Sequence, residues 1–451
     1  MGRRKRRKLP AEPVTVDVSD LSHDGRGVGR HAEKAVFVHG ALPGEEVSAR
    51  LVARNRRYDE AIAAQILKPS PERIEPECPW FEQCGGCALQ HLSHEAQLRF
   101  KHKRLVDNLQ RLGGVTPETW LEPLSASPWH YRRRARLSAR LVQAKGRVLV
   151  GFREKQGRFV ADVGHCRVLH PDFSDRLQSL SDLLGELTVA DAVPQIEIAS
   201  GDDGSAIVIR HLRALDADDV MRLKQWSEQE GIAVYLQPKG PDTVHRLWPE
   251  QHRLSYRLPA FDVELEFHPQ HFVQVNAALN RRLVERALEL LNPRPTDHVL
   301  DLFCGLGNFS LPLARRAGQV IGVEGAAELV AAARANARAN GVENVSFETA
   351  NLNEDVSSTS WFRDPFDAAL IDPPRSGALE ILPVIAASGA RRVVYVSCNP
   401  ATLARDAGEL VRTHHFRLIS AGIADMFPHT AHVESIALFE RGESCVRPPG
   451  R

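Results

Sequence analysis

The chain has 451 residues, too long for one ordinary domain; at about 150 residues per domain it predicts roughly three, which excludes a lone binding module. A composition of 43% hydrophobic, 25% charged and 6% aromatic residues excludes a disordered or collagenous chain and predicts ample core. The formal charge of +1 conceals an uneven distribution: residues 3–8 (RRKRRK) are all basic, and residues 131–158 hold ten Lys or Arg against one acid, Glu154, a local excess of ten minus one, +9.

No apolar run approaches the ~20 residues of a membrane span. The start MGRRKRRKLP lacks the apolar stretch of a signal peptide, so a cytoplasmic protein without a membrane partner is expected. Seven cysteines (Cys78, Cys84, Cys87, Cys166, Cys304, Cys398 and Cys445) are an odd number, which argues against a secreted disulfide framework and for metal-binding or catalytic thiols.

In chain order, the basic run 3–8 reads as a solvated or disordered arm. Residues 14–67 read as short strands broken by glycine-rich turns, the pattern of a small barrel, and PSPERIEPECP (69–79) reads as the linker that ends it. Residues 94–114 predict a helix, apolar at Leu98, Leu105 and Leu109 and closed by a glycine pair. From 129 to about 266 the pattern is mostly strand, with one helix at 215–231, an α+β segment. Within it YRRRARLSARL alternates as a strand would, placing Arg132, Arg134 and Arg136 on one face at a spacing that could follow a phosphate backbone, of RNA or DNA alike. From 279 onward strands and helices alternate, ending in HVESIALFER, which predicts a parallel sheet wound with helices. The tail ESCVRPPGR reads as frayed.

VLDLFCGLGNF (299–309) runs an apolar strand into a turn where Gly305 and Gly307 let the backbone approach a ligand. QVIGVE ends in Glu324, placed to accept hydrogen bonds from two ribose hydroxyls. The turn lacks a third glycine at pyrophosphate spacing, which favours a nucleoside without phosphate, S-adenosylmethionine, over a dinucleotide. IDPPRSG (371–377) and VSCNP (396–400) each follow an apolar strand, so both belong on the same rim. Asp372 is thereby aimed into the cleft, and Asn-Pro after Cys398 forces a turn that exposes the thiol. Cys304 reads as a small buried hydrophobe and Cys445 as a tail thiol.

A thiol beside a methyl donor suits one reaction in particular. C5 of uracil is too weak a nucleophile to attack a sulfonium methyl, but thiolate addition at C6 makes the ring an enolate that can, after which a base must remove the C5 proton. Glu434, on the last predicted strand, is a carboxylate in reach of such a role, although the residues alone read more simply as an edge-strand surface charge. Cys78, Cys84 and Cys87 form C-x5-C-x2-C around Gly85 and Gly86, with Cys166 a distant fourth; the single C-x2-C pair favours an iron–sulfur cluster over zinc.

The motifs FVQVN (272–276), DLFCGLGNFSLPLA (301–314), DPPRSG (372–377), SCNPATLARD (397–406) and HVES (432–435) resemble, in order and spacing, those of the bacterial 23S rRNA uracil-C5 methyltransferases over nearly the whole chain. The resemblance implies Cys398 as nucleophile and Glu434 as proton-abstracting base, against the surface-charge reading. It implies Gln274, Phe303, Asn308, Glu324, Asn351 and Asp372 as S-adenosylmethionine contacts, and a [4Fe-4S] cluster on Cys78, Cys84, Cys87 and Cys166.

Because DLSHDGRGVGR and VFVHGALPGEEV resemble a TRAM RNA-binding barrel, the likeness is to the branch with both barrel and cluster, directed at uracil 1939 of 23S rRNA. The implied fold is multidomain. A basic tail (1–13) precedes an all-β OB-like TRAM barrel (14–70), a central α+β iron–sulfur domain (71–93 and 126–266), an α/β Rossmann-like methyltransferase domain (94–125 and 267–443) and a tail (444–451). A monomer with 23S rRNA as partner and no obligate protein partner is expected. The alternatives are methylation of another rRNA or tRNA uridine, an amine methyltransferase that needs no thiol, and an RNA-binding protein with a decayed methyltransferase fold.

Overall fold

The computed structural model describes residues 9, 12–354, 356–357, 359–362 and 364–442, so the arginine-rich run 3–8, Cys445 and the tail lie outside the described residues. The chain divides into two compact units. The first comprises Met1–Lys101, Arg153–Ala161 and Phe427–His432; the second comprises His102–Phe152, Asp162–Met426 and Val433–Arg451.

In the first unit, strands Val14–Leu21, Gly27–His31, Lys34–His39, Glu46–Arg54 and Tyr58–Lys68 close into a barrel in the order first, second, third, fifth, fourth. Every second residue faces inward, and Val16, Val18, Val36, Val38, Val47 and Leu51 make a core of β-branched and aliphatic side chains. Gly29 is demanded by close approach, since a Cβ there would run into the Asp17 carbonyl. The segment expected as a free linker is tied down: buried Glu45 accepts from Arg73 Nε at 2.6 Å and from the Ser70 amide at 3.2 Å.

The helix expected over 94–114 spans His94–Asn108 and ends in a π turn, Leu109–Gly113, closed by Gly114 at φ 64°. Its first turns carry two buried polar side chains that hold the segment leading to Glu434. Gln97 Oε1 accepts the His429 amide at 2.8 Å, and Lys101 Nζ donates to the Phe427 carbonyl at 2.9 Å.

The second unit contains a six-stranded sheet in the order His245–Trp248, Ala233–Gln237, Ser205–Arg210, Gln195–Ser200, Arg134–Val142, Arg147–Gly151. Only Ser205–Arg210 and Ala233–Gln237 run parallel, joined by helix Ala217–Glu230. That helix is bounded as its sequence predicts, by an Asp216/Asp219 capping box and by Gly231 at φ 68°. In Arg134–Val142, Ala135, Leu137 and Ala139 face inward, so Arg134 and Arg136 share the other face, while Arg132 precedes the strand and makes isolated bridges to Leu169 and Asn276. The expectation that they track phosphates needs correction at Arg134. Its guanidinium is half-buried and donates to the carbonyls of Gln270 (2.8 Å) and His271, so it serves the fold.

The eight-stranded sheet of the same unit runs Val345–Thr349, Gln319–Glu324, His298–Leu302, Ala368–Ile371, Arg392–Ser397, Glu434–Arg441, Phe416–Ala424, Thr119–Trp120. The first five are mutually parallel and flanked by helices; the inner four are mostly buried, as strands covered on both faces must be, while the edge strand Val345–Thr349 buries only Phe347. Parallelism then stops: Glu434–Arg441 lies antiparallel to both Arg392–Ser397 and Phe416–Ala424. The stretch between Ala424 and Glu434 holds no helix, and without a crossover the strand has to return in the opposite sense.

Candidate active site

Strand His298–Leu302 has its sequence successor, Gln319–Glu324, on one side and Ala368–Ile371 on the other, so the crevice of this sheet opens at the carboxyl end of His298–Leu302. The chain leaves that strand through Phe303 at φ 63°, Gly305 at φ 54° and Gly307 at φ 92°. Left-handed backbone at a phenylalanine stores strain, on the order of 1–3 kcal/mol, of the kind that gathers where a ligand is clamped. Glu324, at the end of the neighbouring strand, accepts the Gly305 amide at 3.2 Å and the Ala326 amide at 3.1 Å. One carboxylate therefore fixes the turn while retaining acceptor capacity for hydroxyls.

Phe303, Glu324, Asn351 and Asp372 follow four adjacent strands at this rim. Asn351 is exposed and holds a local turn, donating to Glu354 at 2.7 Å and accepting the Asn353 amide at 3.2 Å. Asn308 is already engaged: it exchanges two hydrogen bonds with Asn280 (2.8 and 3.1 Å) and accepts from the Tyr256 hydroxyl at 3.0 Å. Gln274 lines a cavity of about 10 Å³ with Tyr256, Val273 and Asn280, room for one water-sized guest. Tyr256 and Asn280 carried no motif in the sequence, and only their contact with Asn308 marks them.

At the reactive end, Ser397 pairs with Ser435 across antiparallel strands, so Cys398 and Glu434 are the next facing positions. The DPPRSG and SCNP loops are riveted together. The Arg375 carbonyl accepts from Asn399 Nδ2 (3.0 Å) and Thr402 Oγ1 (3.3 Å), while Asp406 accepts from the Ala378 amide (2.8 Å) and the Tyr395 hydroxyl (2.7 Å). Gly377, at φ 87°, has no room for a Cβ, which would lie 2.6 Å from Arg405 and Asp406. Asn399 caps helix Pro400–Arg412 through the Ala401 amide, so the residue after Cys398 is fixed by two independent contacts.

Burial pushes the Cys398 thiol up to about 11, with Glu434 and Asp372 adding to the rise and Arg375 opposing it. Burial also raises Asp372 to about 7 and Asp301 to about 8, the latter against a hydrogen bond from Ser310. Glu434, only 3% exposed, is raised well above the usual carboxylate range by burial and then by Asp372, with Arg375 again opposing. The residue-only reading of Glu434 as an edge-strand surface charge is thus overturned, because its strand is sixth of eight. Arg375 is the cation both reactive groups feel, and the sequence marks it only as part of DPPRSG. The result is a cleft crowded with acids held neutral, a field that favours a cationic ligand.

The cysteine loop lies in the first unit. Cys78, Cys84, Cys87, Cys166, Cys304 and Cys398 form no disulfide. Lys155 senses the thiols of Cys87, Cys84 and Cys78 together, and the Cys84 thiol is pushed up by burial, so the three are neighbours. A trio of thiols on a Gly-Gly loop suits a soft metal. Among the described residues no three metal-ligating side chains are drawn to ligating distance, and Cys166 belongs to the second unit. Cys304 is buried, as expected.

Residues 93–442 match the tRNA (uracil-5-)-methyltransferase family, and residues 7–63 match the TRAM domain. The 23S rRNA (uracil(1939)-C(5))-methyltransferase RlmD of Alkalilimnicola ehrlichii is 52% identical over 442 residues, 98% of this chain and 99% of that protein. Its counterpart from Xanthomonas campestris pv. campestris is 49% identical over 441 residues, 97% of this chain and 99% of that protein. The crystal structure of Pyrococcus abyssi tRNA (uracil-54, C5)-methyltransferase with S-adenosyl-L-homocysteine superposes with a TM-score of 0.73 at 25% identity, over 94% of this chain and 100% of that one.

Proposed function

The chain belongs to the tRNA (uracil-5-)-methyltransferase family, and from that membership and its TRAM barrel we propose that it methylates C5 of a uracil in 23S rRNA, position 1939 in its relatives. It is an S-adenosylmethionine-dependent methyltransferase. S-adenosylmethionine, when bound, supplies an electrophilic methyl group on a sulfonium. Phe303, Glu324, Asn351 and Asp372 would hold it along the strand ends, with Glu324 on the ribose hydroxyls, and Gln274 and Asn308 beside them.

The observation that carries the mechanism is the facing of Cys398 and Glu434, with Arg375 acting on both. The Cys398 thiolate adds to C6, so electron density moves to C5, which takes the methyl group. Glu434, as carboxylate, then removes the C5 proton; the C5–C6 double bond re-forms and the sulfur leaves. A carboxyl kept protonated at rest has to ionise before it can act as base, and Arg375 together with a bound cation favours that ionisation. The amine-methyltransferase alternative uses neither the thiol nor the buried acid.

A [4Fe-4S] cluster is proposed on Cys78, Cys84 and Cys87 with Cys166 as fourth ligand, bracing the RNA-binding surface; aerobically purified protein that is colourless and holds zinc but no iron rejects it. Mapping 5-methyluridine in 23S rRNA from cells with and without the gene tests the function. Loss of the methyl at one uridine of 23S rRNA supports it, and an unchanged rRNA with a modification missing elsewhere overturns it.

A further inference from the structure

Most of the basic excess in residues 131–158 is consumed within the fold. Arg132 stacks over Phe152, Arg133 pairs with Asp202, Arg134 holds carbonyls and Arg136 pairs with Glu197. Lys145 and Arg147 share Asp162, and Lys155 lies 3.3 Å over the Phe81 ring. Of the ten, only Arg140, Arg153 and Arg158 have side chains that make no ion pair, hydrogen bond or ring contact among the described residues. Two of these three sit on one hairpin.

That hairpin is Arg153–Ala161, closed by an Arg153–Val160 bridge and by the Glu154 amide on the Phe159 carbonyl at 3.0 Å. It belongs with the barrel unit rather than with the strand that precedes it. The reason is its grip on the cysteine loop. Cys84 bridges to Glu154, the Gly85 amide donates to the Arg153 carbonyl at 2.8 Å, and the Lys155 amide donates to the Gln83 carbonyl at 2.9 Å. Its one acid is engaged within the unit: Glu154 accepts from Gln83 Nε2 at 3.1 Å and packs so closely under Gly157 that a Cβ there would lie 2.5 Å from its carboxylate. What remains outward is Arg153, Arg158 and Phe159, whose ring is 66% exposed.

A large aromatic left in water beside two uncommitted arginines is the pairing that single-stranded nucleic acid recognises, its bases stacking on the ring and its phosphates on the guanidinium groups. We propose that the Arg153–Phe159 hairpin is an RNA-docking finger, in which Phe159 stacks on an unpaired base of the rRNA substrate and Arg153 and Arg158 hold the flanking phosphates. The assignment rests on the rRNA reading above. It also gives the cysteine loop a task, that of seating the finger.

The test is binding of full-length wild-type protein and its Phe159→Ala, Phe159→Trp and Arg158→Ala variants to a 23S rRNA fragment containing the target uridine, at several salt concentrations. Phe159→Ala is expected to weaken binding about ten-fold with an unchanged salt slope, and Phe159→Trp to restore it. Arg158→Ala is expected to lower the salt slope by about one. Unchanged affinity for S-adenosylmethionine in all three confirms intact folding. Variants that bind RNA like the wild type overturn the finger, whereas wild-type protein that neither binds nor methylates the fragment overturns the rRNA reading itself and the finger with it.

Discussion

Cys398 and Glu434 each lie one residue beyond the Ser397–Ser435 pair of two antiparallel strands, and Glu434, once ionised, pushes the thiol further from ionisation. The arrangement disfavours a thiolate at rest. It reserves the charged sulfur for a cleft that already holds a cation, and it makes the two groups sensitive to each other's charge.

Removing that charge is expected to free the sulfur while stopping turnover. Glu434→Gln removes the acid that, once ionised, pushes the Cys398 thiol up, so alkylation by iodoacetamide accelerates several-fold at an alkaline pH where Glu434 of the wild type has ionised, by peptide mass spectrometry. Methyl transfer by the same variant falls by about 10²–10⁴, the usual worth of a positioned base. Arg375→Ala, which removes the cation that lowers both groups, moves alkylation the opposite way. Equal alkylation rates in the three proteins contradict the coupling.

Glu324 both fixes the Gly305 turn and offers its oxygens to the ribose. Hydrogen bonds to a charged group contribute about 1.5–3 kcal/mol each, so Glu324→Ala is expected to weaken S-adenosylmethionine binding by about ten-fold or more in calorimetry. Undiminished affinity removes Glu324 from the site.

Asp301 is wholly buried and held at about 8, against 3.8 for an aspartate in water, so the folded state binds a proton that the unfolded chain releases. Its contribution to stability is fully present below about pH 4 and is lost as pH rises towards 8; Asp372, held at about 7, adds to the same slope. The thermal midpoint of the unliganded protein is expected to fall from pH 6 to pH 8.5, and Asp301→Asn to flatten that fall. A slope identical to wild type shows that Asp301 is ionised in the folded protein.

Much of this was legible in the residues because local rules and tertiary structure agree there. The valines of the barrel alternate, the Asp216/Asp219 box and Gly231 bound their helix, and Gly305 and Gly307 sit where a ligand turn needs them. The failures share one cause, that charge pattern says nothing of partners. Arg134 looked like a phosphate contact until the carbonyls of residues 270 and 271 claimed it, and Glu434 looked like a surface acid because strand order cannot be read from HVES. Arg375, Tyr256 and Asn280 act through long-range contacts that no local spacing signals.

The most direct measurement is trapping with 23S rRNA fragment carrying 5-fluorouridine at the target, where fluorine replaces the proton that Glu434 would remove. A covalent protein–RNA band that requires S-adenosylmethionine, maps to Cys398 and vanishes in Cys398→Ala is the expected result. Undiminished methylation of ordinary RNA by Cys398→Ala would contradict the account.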